Sequence, residues 1–176
     1  EIKLYRIGNS NPAVKFEVIE KPNDWAKEVK SSEVANETQQ QRYNYWVEFQ
    51  NYAFQNQLFA NNFNRRKPSQ DHWMNFSIGS SACHIAVSQI QKRNELDLEL
   101  YISEDKDLFH SLLQNKNSIE SDSGLTFDWR ELPERKASRI VIKKNVIFTD
   151  RAQWKEQFDW LIDTMIKMKK TFKRYL

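Results

Sequence analysis

Cysteine occurs once in the 176 residues, at Cys83, so no disulfide can form within the chain, and a disulfide-stapled secreted scaffold is excluded. Glycine and proline are nearly as scarce, at 3 and 4 residues. With so few positions that turn the backbone without strain, long uninterrupted helices and strands are favoured over a turn-rich sandwich. No apolar run approaches the ~20 residues that span a bilayer as a helix, and no charged-then-apolar leader opens the chain. Membrane insertion is therefore set aside, and the lone thiol points to a cytoplasmic setting. A strong charge of either sign is missing too. Lys and Arg number 27 against 24 Asp and Glu, and a formal net charge of +3 permits nucleic-acid contact without requiring it.

What the chain does contain is core-forming side chains. Hydrophobic residues make up 39% and aromatics 13%, including 11 Phe and 6 Trp, enough for one well-packed core at this length. Apolar residues alternate at Ile2 and Leu4 and again at Val14, Phe16 and Val18, on either side of a polar Gly8-Asn9-Ser10-Asn11-Pro12 turn. The chain enters this first strand at Glu1 without an initiator Met, as a fragment of a longer protein would. Beyond Pro22, the segment from Asn23 to Glu37 is mixed and polar and suits a linker or a loose helix. Residues 1–35 are thus expected to be the tail of a preceding nuclease-like domain plus a linker, and residues 36–176 a single α+β domain.

Within that domain the periodicities predict the order α-βββ-α-ββ-α. A helix is expected from Asn36, where an Asn N-cap with Gln39 three residues on can satisfy the first free amides. It carries two apolar stripes, one with Tyr43, Trp46 and Leu58, the other with Tyr45, Phe49, Tyr52 and Phe59. Alternation then predicts strands over His72–Gly79, Cys83–Gln91 and Glu95–Ser103, joined by connections short enough for hairpins. A second helix follows from Glu104 to Ser118, ending before Gly124, and strands over Leu125–Leu132 and Ala137–Lys144 complete a mainly antiparallel five-stranded sheet. Asp97 and Glu99 alternate with leucines and are expected to face water, with the helices mostly on the other face. The last helix starts at an Asp150 cap. Its stripe of Trp154, Phe158, Leu161, Met165, Met168, Phe172 and Tyr175 suits a helix lying on the core, or failing that a dimer seam.

Catalytic chemistry is hard to place. The glycine-rich nucleotide loops, the nucleophile elbow and the zinc-protease helix motif are all absent, so no cofactor is expected. His72, His84 and His110 lie on separate elements and, with one cysteine, make no zinc set by spacing; no metal ligands and no catalytic residues are assigned. Cys83 reads as an inert core thiol. Asp128 with Glu134-Arg135-Lys136 has the residue types of a metal-dependent nuclease, but the latter three fall in a turn, where no strand fixes their geometry. The isolated chain is therefore not expected to be an enzyme.

A different constellation is more suggestive. Arg65, Arg66 and Lys67 precede His72 and Trp73, and cations followed by an aromatic suit a phosphate backbone and a stacked base. Lys136 and Arg139 would join them if the two hairpins are adjacent. Trp73 itself, beside Met74 and Phe76, is expected to anchor in the core.

Several ordered motifs carry a resemblance. Arg66-Lys67-Pro68-Ser69 before His72-Trp73, then Ser77-Ile78-Gly79-Ser80-Ser81 and His84-Ile85, then Glu99-Leu100-Tyr101-Ile102 and Lys136-Ala137-Ser138-Arg139-Ile140 resemble the bacterial and archaeal family known as domain of unknown function 4268. The likeness runs from Gln41 to the C-terminus, with Ala82 standing where the family often carries Gly. Ahead of it, Leu4-Tyr5-Arg6-Ile7-Gly8, Pro12, Phe16, Val18 and Pro22-Asn23-Asp24-Trp25 resemble the exit from a restriction-endonuclease-like domain. The resemblance implies a place in a nuclease or restriction-defence protein and assigns no activity to the domain.

Two readings follow. In the first, the domain is a non-catalytic module that binds DNA or RNA for an upstream nuclease-like domain of the same chain, through Arg65, Arg66, Lys67, His72, Trp73, Lys136 and Arg139. In the second, it is a protein-interaction domain that pairs through its aromatic helical stripes, with a homodimer as the simplest form.

Overall fold

The computed structural model describes residues 2–5, 8–9, 13–16 and 23–176, which divide into the units Glu1–Thr38 and Gln39–Leu176. In the first, β1 (Ile2–Tyr5) and β2 (Ala13–Phe16) pair antiparallel with Ile2 opposite Phe16. Helix α1 spans Asn23–Ala53. It starts well before the expected Asn36, which therefore lies inside the helix and caps nothing. The physical reason is that residues 23–37 contain neither Gly nor Pro, so nothing in them stops a helix once it has begun.

In the second unit, α1 is followed by α2 (Gln57–Asn62), whose Asn56 side chain accepts from the Phe59 amide at 3.0 Å. Strands β3 (Trp73–Ser77), β4 (Cys83–Ile90) and β5 (Glu95–Ile102) form the expected meander. The helical stretch after β5 is two helices rather than one: α3 (Lys106–Gln114), capped by Asp105, and α4 (Lys116–Ser123). They break at Asn115, whose side chain donates back to the Ser111 carbonyl at 2.9 Å, a local bond that competes with helix continuation. Gly124, at φ 65, then closes α4 in the left-handed conformation that glycine adopts without penalty. Strands β6 (Asp128–Arg130) and β7 (Ser138–Asn145) follow, and α5 (Trp154–Phe172) ends the fold after a 3₁₀ turn capped by Asp150.

The five strands lie in the order β3-β4-β5-β7-β6, every pair antiparallel. Leu96, Leu98, Leu100 and Ile102 of the central strand are fully buried against the helices, with Ile85, Val87 and Ile140 beside them. The aromatic stripes of α1 and α5 pack on each other inside this core. The Tyr45 ring meets Trp154 and Phe158 edge-on at 5.0 Å each, and its hydroxyl hydrogen-bonds Gln157 Oε1 at 3.1 Å. Trp154, Phe158, Leu161, Met165, Met168 and Phe172 are all buried, so the stripes offered as an interaction surface form the inside of one core instead. Cys83 is buried as well, and desolvation pushes its thiol up, away from thiolate chemistry.

The opposite face also departs from expectation. Asp97 and Glu99, expected in water, are only 8% and 5% exposed. They sit on the innermost strand, where the flanking side chains reach over them. Arg139 on β7 pairs with Glu99 at 3.3 Å, and Arg93 approaches Asp97 at 3.6 Å. Alternation assigned these acids to the correct face, but the middle of a five-stranded sheet is far from its wet edges.

A candidate nucleic-acid interface on the helix-free face

Because strand side chains alternate, the residues between the core positions share the face that carries no helix. The register sets them in rows. Ser77, His84, Tyr101 and Arg139 lie opposite one another across four strands; Asn75, Ala86, Glu99 and Val141 form the next row; Trp73, Ser88, Asp97 and Lys143 the third. The small residues Ala86 and Ser88 lie low among the large Trp73, His84, Tyr101 and Arg139, and the difference in size opens a cleft of about 410 Å³. His72, Asn75 and Glu99 complete its walls. Neighbouring strands are about 4.8 Å apart, so the cleft crosses roughly 14 Å between the strands of Trp73 and Arg139.

The cleft combines flat rings with a few polar atoms. His84 and Tyr101 lie with centroids 5.0 Å apart and planes inclined by 31°, and the Arg139 guanidinium stands 5.2 Å over the Tyr101 ring. Burial pushes His84 below the ordinary imidazole range, which keeps it neutral and suits it to stacking. Burial also pushes the Glu99 carboxyl up, and the nearby Arg139 charge pulls it part of the way back. Asp97 is raised by burial in the same way, opposed by Lys143 and Arg93. Acids and bases on this face neutralise each other in pairs, with Arg93 and Lys143 on Glu95, and Arg130 on Asp128. The sheet surface therefore presents rings and hydrogen-bonding groups rather than unpaired positive charge.

Unpaired positive charge occurs on the loop that leads into β3. Arg65, Arg66 and Lys67 are exposed, and no carboxylate lies within 4.0 Å of any of them among the described residues. The Arg65 guanidinium rests 4.7 Å over the Phe54 ring. The loop is pinned at both ends to α1. Buried Gln50 clasps the Arg66 peptide, accepting from its N–H at 2.6 Å and donating to its carbonyl, while Trp46 Nε1 donates to the Asp71 carbonyl at 2.9 Å. Gln50→Ala unpairs both Arg66 groups and is expected to lower unfolding free energy by about 1 to 2 kcal/mol. A denaturant titration showing no change would mean that water replaces the clasp without cost.

The expected site residues thus separate. His72, Trp73 and Arg139 come together in the cleft, whereas the basic triplet does not line it and is held at the end of α1 through Gln50 and Phe54. Lys136 does not join them. It lies in the turn before β7 and pairs with Glu104 at 3.1 Å, and two strands separate β7 from β3, so the two hairpins are not adjacent. Trp73 is also not a core anchor, being 45% exposed. Met74 and Phe76 fill the core positions of β3, and alternation then forces Trp73 outward. Asn75, His84, Ser88, Glu99 and Tyr101 were missed as site residues. The signal that could have found them is the strand period itself, read for the positions between the apolar ones. Asp128 is engaged by Arg130, and no group of three or more His, Cys, Asp or Glu that could hold a metal ion occurs among the described residues.

The fold and the cleft define the class as an α+β domain with helices on one face of an antiparallel sheet and a ring-lined cleft on the other. The chain belongs to the family "Domain of unknown function (DUF4268)", whose sequence model matches residues 41–176. No curated protein and no solved structure matches it.

Proposed function

We propose that Gln39–Leu176 is a non-catalytic module that binds single-stranded nucleic acid across the helix-free face of its sheet and presents it to a nuclease domain of the same protein. The observation that carries this reading is the cleft, where the exposed Trp73 ring offers a flat face to a base beside the packed His84–Tyr101 pair, while Arg65, Arg66 and Lys67 stand without a carboxylate partner on the loop that leads into its first strand. Stacking on aromatic rings contributes about 1 to 3 kcal/mol per base and tolerates any sequence, whereas a duplex hides its base faces from the rings. A flat, internally neutralised sheet gives a duplex little to hold. The nuclease part of the reading is supported by the resemblance of the stretch before residue 26 to the exit of a restriction-endonuclease-like domain. The interaction-domain reading is less well supported, because most of its stripe residues, Tyr45, Phe49 and Trp154 to Phe172 among them, are buried within this chain, although Tyr43 and Leu58 are exposed.

The test is a binding measurement against single-stranded DNA, single-stranded RNA and duplex DNA at several salt concentrations. Single strands are expected to bind more tightly than duplex, with Arg65, Arg66 and Lys67 each contributing about −0.7 to the slope of log K against log salt. Replacing all three by Ala is expected to flatten that slope by roughly 2 units. No binding of any nucleic acid at low salt would remove the reading and leave the interaction domain as the better account.

A further inference from the structure

Resting on the reading above, we infer that the cleft selects among bases, with the Glu99 carboxylate accepting from an exocyclic amino group, so that single strands rich in cytosine bind more tightly than those rich in uracil. The protein itself leaves two charged groups of the cleft short of partners. Glu99 is buried, yet both of its oxygens share a single donor, Arg139 Nη1, at the long distance of 3.3 Å. Arg139 Nε is buried beside it with no partner. Buried charged groups are ordinarily hydrogen-bonded, and a carboxylate has room for about four donors. Glu99 lines the cleft in the row between the Tyr101–His84 rings and Trp73, within reach of the edge of a base that enters there.

An acceptor beside a donor is a pattern that base edges can match. Cytosine offers the N4 amino group to Glu99 and its N3 or O2 to the half-exposed Arg139 guanidinium that lines the same cleft. In uracil the only edge donor, N3–H, sits between two carbonyl oxygens, which bring the carboxylate into repulsion with at least one of them. Adenine and guanine carry amino groups as well, so the selection is against uracil and thymine rather than for one base. Neutral Asn75 and Ser88 on the cleft wall adapt to either orientation.

The experiment measures affinity for oligo(dC) and oligo(dU) of equal length, at mildly alkaline pH and low salt, using the whole chain. These probes differ only at the base edge, and oligo(dC) is expected to bind about tenfold more tightly, the size of one good base-edge contact. Glu99→Gln, nearly isosteric, is expected to bring the two affinities to within about threefold, chiefly by weakening oligo(dC). Equal affinities for the wild-type chain, or a ratio unchanged in Glu99→Gln, would overturn the inference while leaving single-strand binding in place. Absence of binding to both probes overturns the binding reading itself. If Glu99→Gln fails to fold by circular dichroism, the wild-type ratio alone decides, tenfold supporting the inference and unity defeating it.

Discussion

Trp73→Ala is expected to weaken single-strand binding by roughly 5- to 150-fold, the equivalent of the 1 to 3 kcal/mol that one ring–base stack contributes. The same change is expected to leave the melting temperature within about 2 °C of wild type, as for a surface substitution that disturbs no packing. Both halves follow from where the ring lies. Trp73 is 45% exposed on the helix-free face, opposite Ser88 in the β3–β4 register, while the neighbouring Met74 and Phe76 take the core positions. Its ring carries no charge, so the slope of affinity against salt should stay as in wild type, which separates it from the triple Ala variant of the basic loop. Trp73→Phe keeps a ring and should recover most of the lost affinity. A stability loss near 3 kcal/mol would return Trp73 to the core, and unchanged affinity in a folded variant would mean that no base stacks there.

Much of the fold was legible because its signals are periodic. Leu96, Leu98, Leu100 and Ile102 alternate without a fault, and the stripe from Trp154 to Phe172 recurs at helical spacing, so strand β5 and helix α5 stand where pattern places them. The start of α1 was not legible, since residues 23–37 lack apolar periodicity and their helicity rests on the absence of breakers. The break at Asn115 turns on one side-chain bond, which no window average detects. For the site, residue type was a poorer guide than strand parity. Arg139 and Lys136 look alike in sequence and lie three residues apart, yet one falls on the sheet with its side chain over Tyr101 and the other in a turn paired with Glu104. Strand order decided the rest, because only the placement of β4 and β5 between β3 and β7 brings His84 and Tyr101 into the cleft between Trp73 and Arg139.

Where Trp73→Ala acts on binding, Trp46→Ala is expected to act on stability. The Trp46 side chain has no exposed surface; its ring meets Tyr45 at 5.5 Å and Phe49 at 6.3 Å, both edge-on. Truncation to Ala removes the largest fully buried side chain of the core and leaves a cavity that fixed strands and helices fill only in part, at a cost of about 3 to 5 kcal/mol. Set against a total stability of roughly 5 to 15 kcal/mol for a domain, that is a loss of about a fifth or more, read as a fall of roughly 10 °C or more in melting temperature. The second consequence is functional. Trp46 Nε1 holds the Asp71 carbonyl at 2.9 Å, just ahead of His72, so the same change frees one end of the basic loop. Trp46→Phe separates the two effects, because it keeps most of the volume and removes only the hydrogen bond. That variant is expected to lose about 1 to 2 kcal/mol, stay folded at room temperature, and bind single strands with a shallower salt slope, since the loop that carries the cations is no longer held at its second end. A cost below 1 kcal/mol for Trp46→Ala would show that the core closes around the gap. An unaltered salt slope in Trp46→Phe would show that Gln50 alone positions the loop.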